Sequence, residues 1–210
     1  MYSLLSKLLI TGKIKFELGK ITAFSDPFAL IDLHSLKEMT NDAMDDGIKS
    51  ITNLYFYGWA YGYNITKNMI RMLKLKKFEE RYKVSMDIVT LLGFGDYKTL
   101  KFKRGIEAHF KVIANPFALL YHPSNKFVCH YIRGMEAGGG TLVHEKLMDN
   151  IEFECAAVNG KYCFHSNLNQ ERLDQVDESL ISTQIDKDYM KKRQKRLIEE
   201  AGDDPSKFGL

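Results

Sequence analysis

Cysteine, proline and tryptophan are scarce in this chain: three, four and one among 210 residues. An odd and small number of cysteines makes no disulfide framework of the kind that staples small secreted domains. No apolar run approaches the roughly 20 residues that a membrane-spanning helix needs. The opening segment, Met1 to Ile10, is interrupted by Lys7 and leads into a charged stretch, so it does not read as an export signal. These features together predict a cytoplasmic protein with reduced thiols. Charge of one sign is lacking too. Thirty basic residues against 27 acidic ones leave a formal net charge of +3, so no global field argues for nucleic acid or anionic lipid.

What is present is the placing of the cysteines. Cys129, Cys155 and Cys163 all fall in the second half, and Glu152 and Glu154 stand just before the second. Three thiols and a carboxylate are enough for one closed tetrahedral zinc site. Residues 151–158 have strand character, Asn159-Gly160 is a turn signal, and 161–165 read as a second strand. A two-residue loop would send Cys155 and Cys163 to opposite faces. A three-residue loop, with Gly160 in the left-handed position, would set them directly across from each other, with Cβ atoms roughly 4.5–5.5 Å apart. In a regular strand Glu152 and Glu154 both point away from Cys155, and a bulge between Glu152 and Cys155 would turn one of them in. Cys129 arrives on another element, a helix predicted over 127–138. It opens after Pro123-Ser124-Asn125 and closes in Gly138-Gly139-Gly140. The positive end of that helix favours a thiolate at Cys129. Gly134 and Gly138, four apart, read as close packing of two elements.

The fold class expected is mixed α+β, an antiparallel sheet packed with helices. A hairpin around Gly19 and a strand over 28–33 precede helices over 35–46 and 51–73. A charged helix follows, near 76–82 or continuing to 92, and then strands between 97 and 115. Within 54–63, Gly58 and Gly62 form a narrow helix face and Tyr55, Trp59 and Tyr63 an aromatic one. Such a helix packs closely on a sheet or a partner subunit, or walls an apolar ligand pocket. Residues 1–165 read as one ligand-binding domain. Residues 166–210, polar and highly charged, read as a partly helical appendage outside the core. The basic run 191–196 is flanked by acidic residues on a helix and reads as a solvated face, not a nucleic-acid contact.

Several motifs occur in a set order: Tyr57-Gly58 with Gly62, Gly93-Phe94-Gly95, Asn115-Pro116-Phe117-Ala118, Cys129 to Gly134 with Ala137-Gly138, and Glu152, Cys155, Cys163 and His165. In that order the chain resembles the 4-vinyl reductase domain family, often labelled small-molecule or hydrocarbon-binding, over about residues 50–165. The resemblance implies a fold similar to trafficking-tether subunits and haem nitric-oxide sensors, and a helix-mediated homodimer. In the zinc-containing sensor domains of phenol-responsive activators, three cysteines and a glutamate hold a structural zinc. The matching positions here are Cys129, Glu152, Cys155 and Cys163, which favours Glu152 over Glu154. The phenol-binding His and Trp of those sensors have no clear counterpart here, so phenol itself is not implied.

The function expected is therefore a zinc-stabilised, non-catalytic module that binds or senses a small apolar ligand. Its pocket is expected between the long helix and the sheet leading to Pro116, lined by Trp59, Tyr63, His109 and Phe117. Two other readings compete. A scaffold subunit would show this region packed solid, and the reductase of the family name would need a cofactor motif that the sequence does not offer.

Overall fold

Two antiparallel sheets and a pair of helices in close contact organise the chain, seen in a computed structural model that describes residues 2–210. Helix α1 (Tyr2–Ile10) leads into strands β1 (Ile14–Glu17), β2 (Lys20–Ala23) and β3 (Asp26–Phe28), which form a three-stranded meander. The hairpin turns at Gly19 as expected, with φ +72°. The following strand is shorter and earlier than predicted. Pro27 sits inside it at the sheet edge, where its missing N–H costs nothing.

Helices α2 (Leu33–Asp46), α3 (Ile48–Leu73) and α4 (Phe78–Leu91) follow. Asp32 caps α2, its Oδ1 accepting from the backbone N–H groups of His34 and Ser35, a contact typically worth about 1 kcal/mol. The charged helix takes the longer of its two predicted forms.

The second sheet has the order β4-β5-β7-β6, every pair antiparallel. Strands β4 (Asp96–Lys103) and β5 (Glu107–Ile113) form a hairpin. Then come the single-turn helix α5 (Pro116–Leu119), helix α6 (His130–His144), strand β6 (Met148–Glu154), the single-turn helix α7 (Ala156–Asn159) and strand β7 (Tyr162–Asn169). The chain ends in α8 (Gln170–Leu173), α9 (Glu178–Ser182), α10 (Lys187–Glu200) and a 3-10 turn over Pro205–Phe208.

Helices α3 and α6 run side by side in the same direction, and four glycines let their backbones meet. A Cβ at Gly58 would overlap the carbonyl of Tyr131, and one at Gly62 that of Met135. Reciprocally, Gly134 lies against Tyr55 and Gly138 against Trp59. The close packing read at Gly134 and Gly138 is thus correct, and its partner is the Gly58–Gly62 face. That face is consumed within the chain, so it gives no support to the expected homodimer. The same contact corrects the predicted end of α6. Gly138, Gly139 and Gly140 do not stop the helix, because packing on α3 outweighs glycine's poor helix propensity of about 1 kcal/mol per residue.

The expected division at residue 165 falls inside β7. Leu168, Leu173, Ile181, Ile185, Met190, Ile198 and Phe208 pack in one buried cluster with Tyr55, Phe56, Trp59 and Tyr63. The segment is polar because α10 is amphipathic. It buries Met190, Gln194 and Ile198 and leaves Lys191, Lys192, Lys195 and Arg196 exposed, which agrees with the solvated-face reading of the basic run. Among the described residues no helix is long and apolar enough to cross a membrane.

Candidate metal centre and adjoining cavity

Strand register decides which side chains face α6. Val112 pairs with Cys163, Phe110 with His165 and Ala108 with Asn167. On the other side of β7, His165 pairs with Glu152 and Asn167 with Asn150. Direct cross-strand partners share a face, so Cys163, His165, Asn167, Glu152 and Asn150 all lie on one face. Their contacts with Cys129, Glu136 and Arg133 show that this face looks onto α6. A register shift between Glu152 and Glu154 interrupts the ladder. Glu152 is fully buried by its regular pairing with His165, and the expected bulge turns Glu154 outward by pairing it with Phe164 and not Cys163.

Cys155 and Cys163 are not cross-strand partners, contrary to the predicted hairpin. The strand stops at Glu154 because Cys155-Ala156-Ala157-Val158-Asn159 folds into the turn of α7, whose first residue follows Cys155. Gly160 does take the left-handed conformation, with φ +69°. The sulfurs converge all the same. Cys129 Sγ lies 3.8 Å from Cys163 Sγ and 4.0 Å from Cys155 Sγ. A tetrahedral edge between two thiolates bound at about 2.3 Å from zinc is about 3.8 Å. The ligand atoms of Cys129, Glu152, Cys163 and His165 all lie within 4.8 Å of one another. His165, quoted in the sequence motif but given no role, is thereby a fifth candidate donor beside the four expected ones.

The surroundings suit anionic ligand groups. Glu152 Oε2 is buried without a hydrogen-bond partner among the described residues, and the Arg133 guanidinium Nε stands 4.0 Å from it. Cys129 occupies the N-terminal cap of α6. Asn115 caps α5 by accepting from the N–H groups of Phe117 and Ala118, and this aims its Nδ2 at Cys129 Sγ (3.5 Å) and Cys163 Sγ (3.6 Å). The backbone N–H of Ala156 donates to Cys163 Sγ at 3.3 Å. Hydrogen bonds from Cys129 and Cys155 hold the Cys163 thiol down to about 3, whereas burial pushes Cys129 up. Burial also raises the Glu152 carboxyl.

His165 links this cluster to a second feature. Its Nε2 lies 3.4 Å from Glu152 Oε1, and its Nδ1 lies 2.9 and 3.0 Å from the two oxygens of Glu136. Burial pushes the imidazole down, but the charge of Glu136 and the hydrogen bonds to Cys163, Glu136 and Glu152 outweigh it and hold His165 well above its usual value. Glu136 also accepts from the Tyr97 hydroxyl (2.7 Å) and from Asn150 Nδ2 (2.9 Å).

Beyond Glu136 lies a cavity of about 50 Å³ between α3, α4, α6 and the inner sheet face. Its walls are mostly apolar, among them Ile65, Met69, Met86, Phe110 and Met135. The few polar groups are those of Ser85, Tyr97, Glu136, His144 and neighbouring Thr66 and Asn167. A space between the long helix and the sheet was expected, but its lining was not. None of Trp59, Tyr63, His109 and Phe117 borders it. Trp59 and Tyr63 pack against the carboxy-terminal segment. His109 is on the opposite sheet face, bonded to Ser166 and Glu107. Phe117 is buried against Tyr121.

No family model matches the chain, and no curated protein matches it. Among solved structures it is similar to the phenol-responsive sensory domain of the transcription activator PoxR, determined with phenol. The identity is 15% and the TM-score 0.71, over 82% of this chain and 91% of that one. At that identity the likeness is one of fold, and it agrees with the mixed α+β class and the sheet-and-helix arrangement described above.

Proposed function

We propose that this protein is a small-molecule sensor or binding module in which a structural zinc fixes one wall of an apolar cavity. The observation that carries this reading is Glu136, a single carboxylate that both borders the cavity and bonds the histidine beside the cysteine cluster. The fold shared with a phenol-responsive sensory domain supports it. Zinc would be held by Cys129, Cys155, Cys163 and Glu152, with His165 positioned against Glu152. Four protein donors leave no open position, so the metal would supply folding energy and rigidity, not chemistry. Support for a metal comes from the compact set Cys129, Glu152, Cys163 and His165, from a Glu152 oxygen lacking any partner among the described residues and from N–H groups directed at the sulfurs. Cys155 stands outside that compact set, with its Sγ 4.0 Å from that of Cys129. The scaffold reading keeps some support, because the region around Trp59, Tyr63 and Phe117 is packed solid and the cavity lies elsewhere, beside Glu136.

Native mass spectrometry of protein purified without added metal tests the reading, because it reports metal, bound molecule and oligomeric state together. One zinc per chain and a co-purified or added small molecule are expected. A metal-free chain with an unchanged melting temperature would refute the zinc.

A further inference from the structure

We infer that strand β1 is an interface between two copies of this chain, which pair edge to edge about a two-fold axis at Phe16. The pairing depends on neither the zinc nor the cavity. Among the described residues, six large apolar side chains lie exposed within 9–31: Leu9, Ile10, Phe16, Leu18, Leu30 and Ile31. Phe16 is 65% exposed although it stands within a strand. An apolar strand at an open sheet edge is a template for another strand.

The other three sheet edges are guarded. β3 carries Pro27, which has no N–H to offer. β4 has Lys98, Lys101 and Lys103 and a register shift between Thr99 and Lys101. On β6 the N–H groups of Met148, Asn150 and Glu152 are already bonded to the side chains of Thr141, Tyr55 and Gln184. β1 has no such guard. The Phe24 N–H donates to the Lys13 carbonyl, so the odd-numbered residues turn their backbone groups toward β2. By alternation, Ile14 and Phe16 direct their N–H and C=O groups away from it. None of these groups has a backbone partner among the described residues.

Charge selects the register and the occupant. Two-fold pairing centred on Phe16 sets Lys15 of each copy opposite Glu17 of the other. Centred on Ile14 it would oppose Lys13 to Lys15, centred on Lys15 two copies of that lysine, and centred on Glu17 two copies of that glutamate. Opposite charges across a strand pair are favourable and like charges are not, so the strand complements itself in the Phe16 register alone. The opposite face gains too. Phe16 pairs with Ile21 and Ile21 with Phe28, so the paired copies carry one unbroken apolar row across six strands.

Light scattering on the full chain tests this. The wild type should show twice the chain mass of 24.2 kDa at micromolar concentration. Lys15→Glu and Glu17→Lys each create like-charge oppositions at both ends of the pairing, and each should weaken association by about tenfold or more. Mixed in equal amounts, the two variants should associate again, because each meets the opposite charge on the other. Phe16→Ser should be monomeric. Glu17→Lys also faces Lys20 within its own hairpin, whereas Lys15→Glu faces only Thr22. Lys15→Glu therefore decides the matter alone if Glu17→Lys lowers the urea midpoint. A monomeric wild type would leave the edge to a different partner and overturn the inference. So would variants that associate like the wild type, or a mixture of two folded variants that stays monomeric.

Discussion

Both carboxylate oxygens of Glu136 lie within 3.0 Å of Nδ1 of His165, so one buried ion-pair contact joins the cavity wall to the cysteine cluster. Glu136→Gln keeps the shape of the side chain and removes its charge. Partners that orient the groups around a metal typically contribute 10–100-fold in affinity. The substitution should therefore weaken zinc binding by about tenfold or more, measured by competition with a chromophoric chelator. Unchanged zinc affinity would show that the two features are independent.

The candidate donors outnumber the four positions of a tetrahedral site. Cobalt substitution distinguishes them, because thiolate-to-cobalt absorption scales with the number of cysteines bound. Cys155→Ser should weaken that absorption and lower stability, while His165→Gln should leave the absorption intact. The reverse pattern would move His165 into the site and Cys155 out of it.

Gly58 faces the carbonyl of Tyr131 with no space for a side chain. Gly58→Ala should drive α3 and α6 apart at the cost of about 3 kcal/mol or more, read as a fall in the urea midpoint. A stability close to wild type would contradict the interhelical contact.

Two buried histidines and one aspartate shape the dependence on pH. His144 is held at about 4 by burial, and His130 at about 3 by burial and the neighbouring Arg133. The unfolded chain takes up these protons near 6.5, before the folded one does. Stability present above pH 6.5 is therefore lost as the pH falls toward 4. Asp149 opposes this trend. Burial raises it to about 6, so between pH 6 and 4 the folded chain holds that proton more tightly than the unfolded chain. His144→Gln should remove about 2–3 kcal/mol of the acid loss, which urea titrations at pH 7 and pH 4.5 would reveal. An identical pH slope in the variant would show that His144 is not buried in the neutral form.

Gln184 clamps strand β6 from outside. Its Oε1 accepts from the Glu152 N–H at 2.9 Å and its Nε2 donates to the Glu152 carbonyl at 2.8 Å. Gln184→Ala leaves both backbone groups buried and unpaired, which should cost about 2–4 kcal/mol and lower zinc occupancy. A chain cut after residue 165 should not fold, because β7 would lose half its length and the α3 aromatic face its cover.

The parts legible in the sequence were those with local causes. Amphipathic spacing marked α2 and α3, and the turn at Gly19 marked the first hairpin. The cysteine and glutamate spacing pointed to a cluster whose sulfurs and Glu152 do converge. What escaped had long-range causes. The glycines at 138–140 signal an end to α6 by propensity, yet the backbone of α3 requires them inside the helix. The hydrophobic residues of 166–210 are diluted by charge, and their shared face shows only once α10 is laid on Trp59 and Tyr63. Ser85 and Glu136 were overlooked because an isolated polar residue in a helix carries no local signal of the cavity beside it. Asn115 had one, since an asparagine before a proline is a helix-capping pattern, although nothing in that pattern announces that the other end of the amide meets two sulfurs.

Trp59 stacks on Tyr63 at 5.1 Å, and Tyr63 in turn meets Phe208 and donates a hydrogen bond to Asp203. The indole therefore serves as an optical gauge of the last forty residues and not of the ligand. If those residues peel away from α3 when the chain responds to its environment, a red shift of this lone tryptophan, excited at wavelengths the tyrosines do not absorb, records the release in real time, with no label attached.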